Sequence, residues 1–224
     1  YIIYKWWPRL SRIPVKPGWF AILPLAAALF AVRAAYVTEI MQLMSAGLLI
    51  ALLLGVWFVA GWRWMFATAL PVLYLVFMLP VWTGAIDNYT NPLQLISTDV
   101  AYTMLKITGF DPYADGSTVI YLNNFVLDVG VPCSGLKLVL AVTAFTVFFV
   151  LIANLKFWGN FVMVALILPL CLFINGLRIA LIGVVGDYWG NDAGMKFHDY
   201  SGYITLIVCF FILFKVARWL GWKD

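Results

Sequence analysis

Charged residues are scarce in this sequence. Asp, Glu, Lys and Arg make up 11% of the 224 residues, whereas soluble domains carry about 25%. This shortage excludes a soluble globular protein. Hydrophobic residues account for 65% of the chain, which also excludes a disordered or low-complexity protein, because such chains are poor in apolar side chains. The composition therefore predicts a membrane protein.

Histidine and cysteine are also few, with one His and three Cys in the whole chain. Three cysteines over this length cannot form a disulfide scaffold. A single histidine, without an HExxH pattern, argues against a metalloprotease or another metal enzyme. We therefore predict no metal site and no bound cofactor. The net charge of +4 does not indicate a nucleic-acid partner, because the basic residues are segregated along the chain in the way that membrane topology requires.

Six apolar runs are long enough to cross a hydrocarbon core, which takes about 20 residues of helix. We predict an all-α polytopic membrane protein, a bundle of about six transmembrane helices in one domain over residues 1–224. The fifth run continues through Ile179–Val185 and contains Pro169, so an extended, bent or re-entrant helix is open there. The runs are Trp19–Tyr36, Ile40–Trp62, Trp64–Trp82, Leu136–Ala153, Trp158–Arg178 and Tyr203–Leu220.

The distribution of basic residues predicts the orientation. With a cytoplasmic N-terminus, nine of the 14 Lys and Arg residues lie inside, as the positive-inside rule requires. We predict a plasma (inner) membrane protein with both termini cytoplasmic, so that Thr83–Ser134 and Gly186–Gly202 face outward. Because the chain begins at Tyr1 rather than Met, a missing N-terminal segment stays an open alternative. The inside residues are Lys5, Arg9, Arg12, Lys16, Arg63, Lys156, Lys215, Arg218 and Lys223.

The first outward segment contains two patterned stretches. Apolar residues at three- and four-residue steps predict an amphipathic helix over Asn91–Gly109. Val119–Leu122 and Phe125–Val129 flank Asn123-Asn124, the pattern of a hairpin with a two-residue turn. We predict that this helix and hairpin form a small extracytoplasmic cap, with the helix on the membrane surface or over the bundle. The apolar positions of the helix are Leu93, Ile96, Val100, Met104 and Ile107.

Three side chains that are chemically reactive or costly to place in a membrane are predicted to reach the same membrane plane. Cys133 precedes the fourth run, and His198 precedes the last run. Arg178 lies 20 residues after Trp158, a distance of about 30 Å along a helix, so it reaches the outer boundary as well. Acyl transfer from a peptide bond needs a nucleophile, a proton shuttle and a donor to the oxyanion. Cys133, His198 and Arg178 suit these roles in that order.

Four neighbouring residues are predicted to support this group. Asn175 shares a helical face with Arg178. Lys137, four residues after the cysteine, is expected to share its helical face and to add positive charge, and the N–H groups of the helix start favour the thiolate. Ser134 is adjacent to the cysteine but lacks a positioned base, and Asp199 follows the histidine. The other two cysteines lie inside apolar runs and are interpreted as small buried hydrophobic residues.

The order and spacing of these motifs resemble the exosortase/archaeosortase family. The matching stretches are Val131–Leu136 around the cysteine, Asn175–Ile179 around the arginine, and His198 before the final run. Pro92-Leu93-Gln94 resembles that family's approach to its cysteine, so the resemblance covers roughly residue 90 to the end. Family members commonly have more spans than the six counted here, and many have a small residue in place of Pro132.

The resemblance implies an integral membrane cysteine protease and transpeptidase, with Cys133, Arg178 and His198 as its catalytic residues. The implied substrates are exported proteins with a C-terminal sorting signal, namely a short motif such as PEP, a transmembrane helix and a basic tail. The cleaved protein would pass to an unidentified acceptor of the cell envelope. Whether an amine or water resolves the acyl-enzyme stays open.

Two other functions are compatible with the composition. A transporter or channel would use Arg178 and Asn175 as a polar path, but carboxylates are absent from the predicted span interiors and the polar groups gather at one face. An envelope-assembly protein would tolerate the loss of Cys133. Mutation of that cysteine therefore distinguishes an enzyme from both alternatives.

Overall fold

The computed structural model describes residues 1–130, 133–153 and 155–222, without the side chains of residue 81 and residues 83–88. Val131 and Pro132 of the cysteine motif lie outside the described residues, as do Lys223 and Asp224. Helices make up most of the described part and strands make up little of it. The chain divides into two compact units, Tyr1–Gly84 and Ala85–Asp224, and one membrane domain over both stays a prediction.

Four helices of the described part are long and apolar enough to cross a membrane. Two further apolar helices, Trp62–Met78 and Leu136–Ile152, are shorter. The prediction of an all-α multi-pass membrane protein is confirmed, whereas the count of six spans stays a prediction. The four long helices are Trp19–Val37, Met41–Ala60, Phe157–Trp189 and Asn191–Trp219.

The first unit is built from helices alone among its described residues. Pro71 lies near the end of the fourth helix, and two short 3₁₀ turns, Tyr74–Met78 and Pro80–Trp82, follow. The predicted third span, Trp64–Trp82, is therefore an α-helix only in its first part, because each proline removes a backbone donor. The helices are α1 (Ile2–Leu10), α2 (Ile22–Val37), α3 (Met41–Ala60) and α4 (Trp62–Leu73).

The second unit combines a long helix, a small sheet and the remaining apolar helices. The predicted hairpin is present as β2 and β3, which pair antiparallel, and β1 adds an unpredicted third strand. The strand order β1-β2-β3 leaves β3 at an edge. The elements are α5 (Thr83–Ile107), β1 (Tyr113–Ala114), β2 (Val119–Tyr121), β3 (Val126–Asp128), α6 (Leu136–Ile152), α7 (Phe157–Ala165), α8 (Ile167–Trp189) and α9 (Asn191–Trp219).

The helices that carry the arginine and the histidine differ from their predicted bounds. The fifth run forms α7 and α8 with a break at Leu166, where Pro169 cannot donate to the carbonyl of Ala165. Helix α8 then extends past Arg178, which therefore lies inside a helix and not at its end. Helix α9 begins at Asn191 rather than Tyr203, so the prediction that His198 precedes the last helix is wrong.

Two apolar clusters hold the second unit together. One packs α6, α7, α8 and α9 against one another, and it contains the buried Cys171 and Cys209 as predicted. The other packs α5 and α8 against the inner face of the sheet, with Leu105, Ile120 and Ile179 at its centre. Cys133 belongs to the second cluster and directly precedes α6, so the candidate site lies where the sheet meets the helices.

Candidate active site

The thiol of Cys133 and the imidazole of His198 are in direct contact. The distance from Sγ to Nε2 is 2.9 Å. The other ring nitrogen, Nδ1, lies 3.1 Å from the Oδ1 of Asp199. A carboxylate at Nδ1 favours a proton on that nitrogen, which leaves Nε2 as the acceptor that faces the thiol. The pair is therefore arranged for proton transfer from sulfur to nitrogen.

Arg178 is bonded to the same turn of α9 that carries the histidine. Its Nε donates to the Oγ of Ser201 at 2.9 Å. Its Nη2 donates to the main-chain carbonyl of His198 at 3.2 Å, and the Ser201 hydroxyl donates to the same carbonyl at 3.1 Å. The half-buried guanidinium keeps further N–H groups for a bound substrate, because a guanidinium carries five.

Asn175 fixes the turn that carries the cysteine. Its Nδ2 donates to the main-chain carbonyl of Cys133 at 2.9 Å and to the Oγ of Ser97 at 3.1 Å. Only 1% of Asn175 is exposed. Both bonds are made in a buried environment, where an unpaired polar group is costly. This geometry fits a positioning role for Asn175.

Gly135 allows Asn175 to come this close. Its φ of +79° is a left-handed conformation that other residues adopt only with strain. A Cβ at this position would lie 2.8 Å from the Nδ2 of Asn175. The turn between Cys133 and α6 therefore needs glycine for its backbone and for its space.

Helix α5 supplies polar contacts that the sequence analysis missed. Gln94 donates to the carbonyl of Val129 at 2.8 Å, and Ser97 donates to the carbonyl of Ser134 at 3.5 Å. Both clamp the segment that leads into and out of Cys133. The signal was present in the sequence, since the small and polar residues recur at helical spacing beside the apolar stripe. That buried face consists of Thr90, Gln94, Ser97, Thr98, Ala101 and Leu105.

The apolar stripe predicted for this helix is not its buried face. Ile96 and Ile107 are exposed, and the other positions of the stripe are half-buried. The helix also begins at Thr83 and not at Asn91. The prediction of a helix is confirmed, but the face that packs against the protein lies beside the one expected.

The remaining supporting residues differ in their relation to the site. The Oγ of Ser134 accepts a hydrogen bond from the N–H of Leu136, the first residue of α6, at 3.4 Å. Lys137 is exposed and borders the same cavity as Arg178. The prediction that Lys137 and Cys133 share a helical face is wrong, because Cys133 lies in a turn before α6.

Burial raises the pKa of the Cys133 thiol above its ordinary value, because the side chain is largely removed from water. The positive charge of Arg178 opposes this effect, and the negative charge of Asp128 adds to it. The net direction is opposite to the one expected from the helix start and Lys137, whose own contributions to the thiol pKa stay a prediction. Only 6% of Cys133 is exposed, and desolvation disfavours the charged form. Burial therefore favours the neutral thiol over the thiolate.

Two cavities meet this group of residues. One of 410 Å³ is bordered by Arg178 and Asp199, and otherwise mainly by residues of α6 and α9 such as Leu138 and Leu206. The other, of 330 Å³, is bordered by Cys133, His198 and the whole of β3. Cys133 borders the cavity along the sheet, and Arg178 borders the one between the apolar helices.

These observations define an all-α multi-pass membrane protein with a cysteine–histidine pair and an adjacent arginine. The family model for transmembrane exosortases matches residues 1–215. The chain therefore belongs to the transmembrane exosortase family, which has a transpeptidase-type role in general and processes exported proteins with C-terminal signals. No curated protein and no solved structure matches the chain.

Proposed function

We propose that the protein is a membrane cysteine endopeptidase and transpeptidase that cleaves the C-terminal sorting signal of exported proteins through a thioester on Cys133. The observation that carries this proposal is the 2.9 Å contact between the Sγ of Cys133 and the Nε2 of His198. The chain has a single histidine, and this contact places it against the cysteine, so the pair supplies both a nucleophile and its base.

The acylation step begins with a neutral thiol. His198 takes the thiol proton at Nε2 as the sulfur attacks the scissile carbonyl carbon, and Asp199 stabilises the resulting imidazolium through Nδ1. The free N–H groups of Arg178 donate to the oxyanion of the tetrahedral intermediate. Collapse breaks the C–N bond, and His198 returns its proton to the leaving amine. The products are the released signal helix and a thioester on Cys133.

The deacylation step reverses the roles of the same groups. An acceptor, either an amine of the cell envelope or water, attacks the thioester carbonyl and gives its proton to His198. The C–S bond breaks, and His198 reprotonates the departing sulfur. Asn175 holds Cys133 in place through the cysteine's own carbonyl, Ser134 accepts from the N–H of Leu136 at the start of α6, and Lys137 adds positive charge at the neighbouring cavity.

We further propose the setting of this chemistry. The site lies at the outer face of the plasma (inner) membrane, and both termini lie in the cytoplasm, which the distribution of basic residues supports. The six apolar helices form one membrane domain, and α5 with the small sheet forms its extracytoplasmic cap. The substrate signal is a short motif, a transmembrane helix and a basic tail that stays near the cytoplasmic lipid surface.

The test is co-expression with an exported reporter that carries a candidate sorting signal, with mass spectrometry of the new C-terminus. Cys133→Ala should abolish cleavage, whereas the control Cys171→Ala, in the core among the helices, should retain it. An acid quench should trap a thioester between Cys133 and the main body of the reporter. Normal processing by Cys133→Ala would exclude this mechanism and favour a transporter or an assembly protein.

A further inference from the structure

Strand β3 has a free edge that leads directly to the candidate nucleophile. Leu122 donates to the carbonyl of Phe125, and Val129 donates to the carbonyl of Thr118, both at 2.9 Å. Since hydrogen-bonding positions alternate along an antiparallel ladder, Leu127 also bonds to β2. The main-chain groups of Val126 and Asp128 therefore point away from the sheet.

Three of these outward groups lack a hydrogen-bond partner among the described residues. They are the N–H and C=O of Val126 and the N–H of Asp128. The Asp128 carbonyl is different, because it accepts from the N–H of Gly130 at 3.0 Å. Unpaired edges of this kind readily bind another strand.

The edge faces a groove rather than open solvent. The 330 Å³ cavity is bordered on one side by residues 125–130 and on the other by His198 and Met195 of α9. Ile179 and Ile182 of α8 also border it, so its interior is mostly apolar. Cys133 borders the same cavity, and its main-chain N–H donates to the carbonyl of Gly130 at 2.8 Å.

We propose that the groove binds the exported substrate as an added strand on β3, using the extended residues that precede the scissile bond. This inference rests on the proposed function. The 410 Å³ cavity suits the signal helix, because it is bordered mainly by the apolar helices α6 and α9. The residues before the scissile bond belong to the exported body. We assign them to the groove along the sheet, because the other cavity is assigned to the signal helix.

The direction of the added strand follows from this assignment. Both β3 and the bound segment run toward Cys133, so the new pair is parallel. In a parallel pair, the N–H of one residue donates to the residue before the one opposite it, and its C=O accepts from the residue after the one opposite it. Val126 therefore makes two hydrogen bonds with the substrate, and the N–H of Asp128 makes a third. Only alternate amides of the substrate face β3.

A first experiment removes one outward donor. Val126→Pro deletes an N–H that does not bond to β2, and Val126→Ala, which keeps the N–H, is the matched control. With the full-length protein and a reporter that the unaltered protein processes, Val126→Pro should lower kcat/KM roughly tenfold, mainly through KM, since a hydrogen bond and a bound strand are lost. Equal kcat/KM values for the two variants would overturn the proposal.

The rate of Cys133 alkylation by iodoacetamide shows whether each variant keeps an intact site without any substrate. A Val126→Pro protein that is alkylated at the normal rate but binds the reporter weakly supports strand addition. Failure of the cysteine mechanism itself is distinguishable, because the Cys133→Ala protein would then process the reporter whatever residue occupies position 126.

A second experiment needs no variant. A peptide with the reporter residues that precede the scissile bond should protect Cys133 from alkylation. N-methylation of its amides, one at a time, should abolish protection at the amide that donates to the Val126 carbonyl and leave it intact at the two amides on either side. The absence of this pattern would overturn the proposal. Protection by the residues that follow the scissile bond, or by phospholipid alone, would overturn it as well.

Discussion

Cys133 combines a buried thiol with a base already in contact. Burial raises the pKa of the thiol, which favours its less reactive, protonated form. His198 lies 2.9 Å away and must accept the proton during attack rather than before it. The protonation state thereby protects the cysteine from adventitious electrophiles until a carbonyl group lies next to the sulfur.

Replacement of Asp128 by Asn should make the thiol more reactive. The carboxylate raises the pKa of Cys133, so its removal lowers that pKa and increases the thiolate fraction at neutral pH. Mass spectrometry of the peptide that contains Cys133 should show faster alkylation by iodoacetamide, with the rate profile moved toward lower pH. The matched control is Asp192→Asn, because this exposed carboxylate in the first turn of α9 is not among the charges that shift the thiol. A slower reaction in Asp128→Asn would contradict the electrostatic assignment.

Replacement of Arg178 by Lys should nearly abolish turnover. Lysine keeps the charge but cannot donate to Ser201 and to the His198 carbonyl while also reaching an oxyanion, because it lacks the planar fork of N–H groups. Loss of one oxyanion donor costs about 10²–10³ in rate, and the loss should fall on kcat more than on KM. Reporter cleavage measures it, with Arg33→Lys in α2 as the control. A fall in kcat/KM that comes entirely from KM would assign Arg178 to substrate binding.

At the scale of the element, the turn between Cys133 and α6 should be intolerant of any side chain at position 135. Gly135→Ala adds backbone strain at a positive φ, about 1–2 kcal/mol, and drives a methyl group into Asn175. We expect a folded protein that cleaves the reporter at least tenfold more slowly, since an oxyanion or thiol misplaced by about 1 Å can cost 10²-fold.

Gly109→Ala provides a matched control for that prediction. Gly109 also has a positive φ, of +91°, but nothing lies within 4 Å of a Cβ at its position. The two variants share the backbone cost and differ only in the collision with Asn175. Equal activities would show that Asn175 does not position the nucleophile.

Sequence pattern predicted the hairpin and the existence of α5 because each depends on local signals, a two-residue turn and a helical repeat. It misplaced the buried face of α5 because hydrophobicity alone cannot tell lipid-facing from protein-facing residues. Gln94 and Ser97 are buried for their hydrogen bonds to the cysteine turn. The helical spacing of these polar residues marks a second face, but the partners of that face come from distant sequence and cannot be read from the helix itself.

The start of α9 was missed for a related reason. Its first turns contain Asp192, Lys196 and Asp199, and so do not read as part of an apolar run. Helix formation needs only favourable backbone geometry and packing, which α8 supplies after the chain reverses at Gly190 with a φ of +86°. Apolar runs therefore mark the part of a helix suited to lipid, not the whole helix.

At the scale of the whole molecule, the predicted orientation can be read from the accessibility of single introduced cysteines. A cysteine at exposed Asp115, between β1 and β2, should react with a membrane-impermeant reagent added outside intact cells. A cysteine at exposed Lys156, before α7, should react only after the membrane is opened. Asn154 offers a second inside position, although it lies outside the described residues. The opposite pattern of labelling would reverse the orientation.

The attachments of the three central side chains have a mechanical consequence. Arg178 and His198 lie on the paired helices α8 and α9 and are joined by a hydrogen bond to the histidine's own backbone, whereas Cys133 lies on the turn before α6. A displacement of α6 away from α9 would lengthen the contact between Cys133 and His198 but would not separate Arg178 from His198. The hydrogen bond from Asn175 of α8 to the Cys133 carbonyl opposes such a displacement, so the same helix that carries the guanidinium also holds the thiol against its base.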